Sequence, residues 1–471
     1  MDVLLINPPS DHELIGNNPT LIEEERGINP PLGLLYLAAY LQERTSHRVS
    51  VLDCQAEAMG YETLRSVLVR RVPDVVGITA MTMTLLDALK TAQLVKAVCP
   101  KAITVLGGPH VHLYPRETVS QPGVDMAVVG EGEVPFAQSL DHLHDPAALK
   151  LIKGLAFKDS GRIVLTGYPD LITDLDAIPF PARTLTPIAN YTSILARRAP
   201  VTTLFTSRGC PFQCAFCDRP HLGKRFRCRS ARNVVDEMEQ CQSLGIHEFL
   251  VYDDTFTVNA QRVMDICDEI IRRRLDIGWD IRTRVDCVTE PMLRKLKTAR
   301  CERIHYGVEA GTESALRVLR KGITLGQVRS VFRMTRRAGI RTLAYFMIGI
   351  PSETKSDIMQ TIAFMRALNP DFAHITILCP FPGTEIYDQA LRRGIIKTDV
   401  WRDFAVRPTA DFRPPYWEEH LSRNELADLL MTAYRQFYLR PGYVIRQAVR
   451  MRSLGEWRRK FKAGLKLARW Q

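Results

Sequence analysis

Three cysteines stand close together in the chain, at Cys210, Cys214 and Cys217, with the spacing C-x3-C-x2-C. Thiolates on one short loop can converge on a single metal cluster. Three protein ligands for a four-iron cluster leave one iron open to bind a small molecule. His221 and Cys228 follow in the same stretch and could instead complete a zinc site. The spacing therefore predicts a metal centre, with an iron–sulfur cluster favoured over zinc.

The cysteines lie just after the first of six strand-like apolar runs, which alternate with helix-like segments. We expect strands at 202–207, 248–253, 278–283, 303–308, 342–348 and 373–378. Helices are expected between them, for example at 231–243, 263–273 and 327–337. Six β/α units predict a barrel or partial barrel whose chemistry lies on the loops after the strands.

Residues 1–140 show the same alternation with a separate set of strands. Apolar strands alternating with helices form a parallel sheet covered on both faces, and ligands bind where its strands end. The first run begins at the N-terminus, which is typical of a strand rather than a signal peptide. This part is therefore predicted to be a doubly wound, Rossmann-like domain. Its strands are expected at 3–7, 49–53, 75–79, 103–107 and 126–130.

The other segments are less regular. Residues 141–195 are predicted to form a linker with a small strand pair at 155–158 and 162–166, because prolines interrupt the rest. Residues 196–390 hold the predicted barrel, and residues 391–471 are expected to be mostly helical. The fold class is therefore α/β, with a doubly wound domain, a linker, a partial (β/α)6 barrel and a helical C-terminal region.

The basic charge of the chain is concentrated at its C-terminal end. The 63 Lys and Arg exceed the 52 Asp and Glu by 11. Residues 431–471 hold eleven of these basic residues and one acid, Glu456, so they carry +10 and the first 430 residues carry +1. A nearly neutral body argues against a protein that wraps nucleic acid, and we expect no partner of that kind.

The basic tail also has an amphipathic helical pattern. Leu454, Trp457, Phe461 and Leu465 fall on one helical face, and basic residues occupy the others. Such a helix packs on the barrel with its basic face in water, lies on an anionic membrane surface, or contacts RNA. No apolar run reaches the roughly 18 residues of a membrane span. We therefore expect a cytoplasmic protein with reduced thiols, and peripheral membrane contact as an alternative.

The cysteine triplet, in its barrel context, resembles the signature of the radical S-adenosylmethionine (SAM) superfamily over residues 200–390. The resemblance implies that Cys210, Cys214 and Cys217 hold a [4Fe–4S] cluster whose open iron chelates the amino and carboxylate groups of SAM. Phe216 would then lie near the adenine. An electron from a donor such as flavodoxin or ferredoxin cleaves SAM to methionine and a 5′-deoxyadenosyl radical in that family.

The same resemblance implies further SAM contacts at the ends of later barrel strands. Acidic residues after the second strand suit the SAM amino group, and arginines after the third suit its carboxylate. A glutamate after the fourth strand suits the ribose or amino group, and a turn after the fifth lies near adenine. These residues are Tyr252, Asp253, Asp254, Arg282, Arg284, Glu309, Gly349 and Pro351.

The N-terminal domain resembles the cobalamin-binding domain that precedes the barrel in one large radical SAM class. Nicotinamide or flavin is disfavoured, because no G-x-G-x-x-G follows the first strand. The segment 53–60 lacks the histidine of D-x-H-x-x-G, so lower-face ligation of cobalt stays open. His110 and His112 are interpreted as structural residues or tail contacts. The turns expected to house the cofactor or its dimethylbenzimidazole tail contain Thr79, Thr82, Gly107, Gly108, Gly130 and Gly132.

These resemblances identify the chain as a member of a class that contains cobalamin-dependent radical SAM methyltransferases and anaerobic magnesium-protoporphyrin IX monomethyl ester cyclases. They imply methylation of an unactivated carbon of a small-molecule or lipid-like substrate. Methylcobalamin would deliver the methyl group, and the deoxyadenosyl radical would abstract the substrate hydrogen. Oxidative ring formation and a non-catalytic corrinoid or metal-binding sensor are the alternatives. The other eight cysteines are scattered, and we expect most to be buried apolar residues.

Overall fold

In the computed structural model the described residues are 1–14, 27–217 and 223–450, without the side chains of 447–450. Over these residues the chain forms two parallel sheets in succession, with helices around and after them. His221 and the amphipathic pattern at residues 454–465 lie outside the described residues.

The first sheet begins with five parallel strands in the order β2-β1-β3-β4-β5. Residues Val3 to Ile6 of the β1 strand are fully buried, as expected for a sheet covered on both faces. The order reverses between β1 and β3, and this reversal is where doubly wound sheets bind ligands. The doubly wound prediction is confirmed. The elements are β1 (Asp2–Asn7), α1 (Leu32–Arg44), β2 (Arg48–Asp53), α2 (Tyr61–Arg71), β3 (Val75–Thr79), α3 (Leu85–Val98), β4 (Ile103–Gly107), α4 (Pro109–Leu113), α5 (Pro115–Ser120), β5 (Met126–Val128) and α6 (Glu133–Leu140).

Two further strands extend this sheet after a short helix. They are the strand pair that the sequence analysis assigned to the linker, and they add to β5 in antiparallel fashion, giving seven strands. The domain boundaries themselves stay predictions. The elements are α7 (Pro146–Leu149), β6 (Leu155–Asp159) and β7 (Arg162–Leu165).

The second sheet is a partial barrel of six parallel strands in the order β8-β11-β12-β13-β14-β15, with helices between them. A separate two-stranded antiparallel ribbon, β9 with β10, brackets the segment that carries the cysteine triplet. The barrel prediction is confirmed. The elements are β8 (Val201–Leu204), β9 (Ser207–Arg208), β10 (Arg227–Cys228), α8 (Ala231–Ser243), β11 (Glu248–Val251), α9 (Ala260–Arg273), β12 (Gly278–Thr283), α10 (Glu290–Thr298), β13 (Cys301–Glu309), α11 (Glu313–Val318), α12 (Leu325–Arg337), β14 (Arg341–Ile348), α13 (Lys355–Leu368) and β15 (Phe372–Ile377).

Local sequence signals start several of the barrel helices. Ser230 and Asn259 accept hydrogen bonds from backbone N–H groups in the first turns of α8 and α9. Thr324 and Thr354 form capping boxes with residues three positions later. Such caps satisfy backbone donors that have no partner within the helix, so the helices begin directly after the strand-end loops.

The last part of the described chain is helical, as predicted. Its elements are α14 (Glu385–Arg392), α15 (Val400–Val406), α16 (Arg423–Tyr438) and α17 (Pro441–Arg450). No helix in residues 1–14, 27–217 and 223–450 combines the length and the apolar character needed to cross a bilayer.

Helix α16 covers the open edge of the barrel sheet with two tyrosine hydroxyls. The Tyr434 hydroxyl lies 3.1 Å from the N and 2.9 Å from the O of Ile375, and the Tyr438 hydroxyl lies 3.1 and 2.7 Å from those atoms of Ala373. Tyr434 and Tyr438 are four residues apart on the helix, which is a rise of about 6 Å, and Ala373 and Ile375 are two residues apart on the strand, which is about 6.6 Å. The two hydroxyls therefore have nearly the same spacing as the two strand residues that they contact. The backbone groups of edge strand β15 are thereby satisfied.

Changing Tyr434 or Tyr438 to Phe removes only a hydroxyl from this contact. The backbone groups of Ala373 and Ile375 would stay buried without a partner, so each change should lower the free energy of unfolding by about 1–3 kcal/mol. Hydrogen–deuterium exchange should show faster exchange of the β15 amides. Tyr168→Phe, at a largely exposed ring, is the control. Unchanged exchange in Tyr434→Phe would show that the hydroxyl does not protect the edge.

Candidate functional site

The cysteine loop follows strand β9 at the end of the barrel where the parallel strands terminate. Its centre is held on both sides, because Ala215 N–H donates to Leu319 O at 2.9 Å and Ile386 N–H donates to Ala215 O at 3.0 Å. All three triplet cysteines are half-buried, whereas five of the other eight are buried, namely Cys54, Cys99, Cys241, Cys267 and Cys301. The prediction that most of the others are buried is confirmed.

Two side chains from later strand-end loops contact the triplet sulfurs. Arg284 Nη1 donates to Cys214 Sγ at 3.4 Å, and Cys210 Sγ lies 3.6 Å from Thr255 Oγ1. Asp286 holds the guanidinium through two hydrogen bonds of 2.9 and 2.8 Å. These contacts place a positively charged group beside the sulfur of Cys214.

Within the described parts of the chain, no three His, Cys, Asp or Glu side chains are grouped so that they could hold a metal ion. Cys228 lies on β10, opposite Ser207 in the ribbon. The assignment of the three cysteines as cluster ligands therefore stays a prediction at this point.

Asp253 has a role in positioning the cysteine loop. Its fully buried carboxylate accepts hydrogen bonds from the backbone N–H and the hydroxyl of both Thr206 and Ser207. These four donors engage both carboxylate oxygens, so Asp253 has little capacity left for the SAM amino group that the sequence analysis suggested. Asp254, the next residue, is half-buried at the same strand end.

Arg282 and Tyr252 meet inside the barrel. The Arg282 guanidinium lies 3.5 Å from the centroid of the Tyr252 ring and donates to Val251 O at 3.0 Å. Asn29, from the N-terminal domain, donates to the Tyr252 hydroxyl at 3.1 Å. The two predicted SAM contacts therefore lie where the two domains meet.

A polar network that the sequence analysis missed lines the barrel interior. Arg303 pairs with Asp280 and donates from Nε to His305 Nε2 at 2.9 Å, so His305 carries its proton on Nδ1, 3.1 Å from the Tyr345 hydroxyl. Burial lowers the pKa of His305 to about 4, which keeps it neutral at pH 7. Burial would raise the pKa of Asp280, but the paired Arg303 guanidinium holds it low. The sequence signal was polar residues alternating with apolar ones in β13.

Glu309 and Phe216, two predicted SAM contacts, are linked by a lysine that the sequence analysis did not single out. Lys321 Nζ lies 2.8 Å from Glu309 Oε1 and 5.8 Å from the centroid of the Phe216 ring. Both charged residues are buried. A Cβ at position 307 would contact the ends of the Glu309 and Lys321 side chains, so a larger residue there would shift the pair.

The turn after β14 is held by a buried carboxylate. Glu353 Oε2 accepts hydrogen bonds from Gly349 N–H at 2.8 Å and Ile350 N–H at 3.0 Å. Gly349 has a φ of +75°, a conformation that favours glycine. Pro351 is buried in the same turn. Burial raises the pKa of Glu353 to about 7, against the opposing effect of the two backbone hydrogen bonds.

The predicted cobalamin turns come together at one edge of the first sheet. Thr79 ends β3, and Thr82 Oγ1 lies 3.1 Å from Nδ1 of the fully buried His110. Gly108 has a φ of +110°, and a Cβ there would lie 2.6 Å from Ala80 O. A Cβ on Gly107 would meet only one atom, at 3.9 Å, so this turn leaves open space.

His110 is a buried titratable residue at this edge of the sheet. Burial lowers its pKa to about 4, and its Nε2 has no hydrogen-bond partner among the residues described. A buried polar atom of this kind can be satisfied by a ligand, so the edge is chemically suited to a large polar cofactor. His112 packs instead against the Tyr168 ring, with the ring centroids 4.8 Å apart.

Contacts within the protein explain the glycine at position 130, in the turn after β5. Gly130 has a φ of +78°, and a Cβ there would lie 2.9 Å from Pro169, whereas Gly132 has ordinary space.

Asp53 accepts hydrogen bonds from Asn7 Nδ2 at 2.7 Å and the Tyr191 hydroxyl at 2.9 Å. Asp53 therefore ties β2 to β1 and to the segment that leads into the barrel.

Comparison with known families agrees with both halves of this architecture. The model of the B12 binding domain matches residues 20–140, and the model of the radical SAM superfamily matches residues 204–365. An uncharacterized methyltransferase of Pyrococcus horikoshii is 34% identical over 96% of this chain and 97% of its own length. An anaerobic magnesium-protoporphyrin IX monomethyl ester cyclase of Cereibacter sphaeroides is 30% identical over 88% of this chain and 68% of its own length.

Solved structures show the same fold. The radical SAM methyltransferase TsrM from Kitasatospora setae, with cobalamin and a [4Fe–4S] cluster bound, has a TM-score of 0.73 at 18% identity, over 94% of this chain and 89% of its own. The cobalamin-dependent radical SAM enzyme OxsB, with aqua-cobalamin and SAM bound, has a TM-score of 0.75 at 16% identity, over 98% and 70%.

Changing Glu353 to Gln should remove a pH dependence of stability, because the amide imitates the protonated carboxyl. The pKa of Glu353 is about 7 in the folded protein and 4.5 ordinarily, so the folded chain keeps a proton that the unfolded chain releases. The resulting stability is full below the lower value and is lost as the pH rises through the higher one. Urea unfolding should show the wild type losing stability relative to Glu353→Gln from about pH 5 to pH 8. A constant difference would contradict this account.

Proposed function

Because the chain belongs to the radical SAM enzymes that carry a B12-binding domain, we propose that it methylates an unactivated carbon of a small-molecule or lipid-like substrate. A [4Fe–4S] cluster, SAM and cobalamin are the cofactors of this family. When bound, they supply the electron that cleaves SAM, the radical that activates the substrate and the carrier of the methyl group. The observation that carries the proposal is the conjunction of a half-buried cysteine triplet with a glycine-lined edge on the first sheet.

We assign Cys210, Cys214 and Cys217 as the cluster ligands. Their half-burial suits ligands that face a cofactor, and Arg284 contacts Cys214 directly at its sulfur. The backbone contacts of Ala215 hold the loop in place. In the zinc alternative, Cys228 or His221, which lies outside the described residues, would be the fourth ligand.

SAM is assigned to the strand ends that surround this loop. Arg282 offers a guanidinium to the SAM carboxylate, and Asp254 offers a carboxylate to the amino group. The Glu309–Lys321 pair beside Phe216 supplies both polar and aromatic contacts for ribose and adenine, and Gly349 with Pro351 supplies a close backbone approach. Arg284 and Asp253 are positioning residues rather than SAM contacts, since they hold the cysteine loop itself.

Cobalamin is assigned to the edge formed by Thr79, Thr82, Gly107 and Gly108. The space at Gly107 and the unpartnered Nε2 of His110 support a ligand there. His110 is assigned to a polar contact with the cofactor tail rather than to cobalt, because its Nδ1 is engaged by Thr82 and the residue is fully buried.

Methyl transfer is favoured over ring formation by the identities of the relatives. The Pyrococcus methyltransferase is 34% identical to this chain, whereas two cyclases are 30% and 29% identical to it. Oxidative ring formation is kept as the second candidate because of those identities. Membrane contact through the basic tail at residues 431–471, of which 451–471 lie outside the described part, stays a prediction.

Replacing Cys210, Cys214 and Cys217 together by Ala should abolish binding of about four irons per chain after anaerobic reconstitution. The measurement is iron content with an optical spectrum. Cys228→Ala is the matched control, since that thiol lies on the flanking ribbon. Iron retained in the triple variant would refute the assignment, and metal lost in Cys228→Ala would favour zinc.

Methyl-labelled SAM distinguishes the two candidate reactions. For methyl transfer, we expect the label in the product formed when reduced enzyme and SAM are supplied to an extract of the source cells, because the transferred carbon comes from SAM. Ring formation instead predicts oxygen from labelled water in the product and no methyl label. The triple cysteine variant is the control for both labels.

A further inference from the structure

Two arginines face each other across the ribbon that brackets the cysteine loop. Arg208 of β9 and Arg227 of β10 are directly opposite partners, and Arg208 stands two residues before Cys210. Like charges in directly opposite positions destabilise a strand pair unless other charges compensate them. The ribbon therefore depends on carboxylates from elsewhere in the chain.

Those carboxylates come from the turn between β5 and α6 of the N-terminal domain and from the first residue of α6. Glu131 bridges the pair, with Oε1 lying 2.9 Å from Arg208 Nη1 and Oε2 lying 2.9 Å from Arg227 Nη1. Glu133 adds a second contact, from Oε1 to Arg208 Nη2 at 2.5 Å. Two negative and two positive charges thus form a neutral group, which we call the four-charge clamp.

The four-charge clamp is buried. The Glu131 and Arg227 side chains are only 2% and 4% exposed. Burial would raise the pKa of Glu131, but Arg227 and Arg208 hold it below the ordinary value, so the carboxylate stays charged. Ile172 N–H also donates to Glu131 at 2.7 Å, and Gly130 packs against Pro169. Removing one partner would leave an uncompensated buried charge, which is strongly unfavourable.

The position of the clamp gives it a consequence beyond stability. One end lies in a turn of the first sheet, next to the edge assigned to cobalamin, and the other lies two residues from Cys210. Group transfer between two bound cofactors and a substrate needs positions held within about 0.5 Å. A flexible joint between the two domains would not maintain that precision.

We propose that Glu131 and Glu133 are positioning residues that fix the separation of the corrinoid and the iron–sulfur cluster by holding the ribbon that carries the cysteine loop. This inference rests on the proposed assignment of the two cofactor sites. It assigns to the acidic turn after β5 a role in the alignment of the sites rather than in binding a cofactor.

The test is the distance between the two cofactors in the full-length protein loaded with both. With cobalt as Co(II) and the cluster reduced, both are paramagnetic, and pulsed electron paramagnetic resonance gives the distribution of distances between them. We expect a narrow distribution in the wild type and one at least about twice as wide in Glu131→Gln, with iron and corrinoid content unchanged. Glu133→Gln, which leaves Arg208 one carboxylate, should give a smaller broadening.

Glu117→Gln is the matched control. It breaks a different ion pair of the N-terminal domain, between Glu117 of α5 and Arg402 of α15 at 2.9 Å, away from the ribbon. The control should keep the narrow distribution. Equal distributions in wild type and both clamp variants would overturn the proposal. Loss of iron with corrinoid retained in Glu133→Gln would also overturn it, because the clamp would then hold the cluster rather than the spacing.

A second measurement separates this proposal from the proposed function. If the wild type bound neither cofactor, the function would fail, but the clamp would still predict faster deuterium exchange of β9 and β10 in Glu131→Gln than in Glu117→Gln. Equal exchange in the two variants would overturn the clamp itself.

Discussion

The buried carboxylate of Asp253 is the constraint on which the arrangement of the site depends. It joins the end of β11 to the two residues that precede the cysteine loop, through donors on Thr206 and Ser207. A carboxylate in this position is tolerable only when all its acceptor capacity is used, so the loop has one favourable starting point. The remaining contacts of the loop, to Arg284 and through Ala215, follow from that start.

Paired charges recur wherever this protein must place a functional element within its interior. Asp280 with Arg303, Glu309 with Lys321, and the four-charge clamp are all buried ion pairs. Apolar packing alone is tolerant of small shifts, whereas a buried charge is costly unless its partner lies at hydrogen-bond distance. Such pairs therefore hold the elements that they join in a defined geometry.

Local patterns in the sequence were sufficient to predict most of the fold. The parallel strands appeared as apolar runs because both faces of each sheet are covered, and the partial barrel and the doubly wound domain followed from their alternation with helices. The linker strand pair was recognised, but its addition to the first sheet was not, since antiparallel pairing with β5 depends on a partner about 30 residues away. The role of Asp253 was likewise hidden, because its donors lie some 46 residues earlier.

By itself the sequence determined the chemistry available: three cysteines on one loop, strand-end acids and arginines, and glycine turns on a second sheet. It did so because spacing and periodicity are local properties of the chain. Only the tertiary structure decided which of these groups are engaged and by what. It showed Lys321 beside Glu309 and Phe216, and Glu131 between two arginines of the ribbon. The contacts of Lys321 with Phe216 and of Glu131 with the ribbon join residues far apart in sequence, and they arise only when the loops that carry them are packed together.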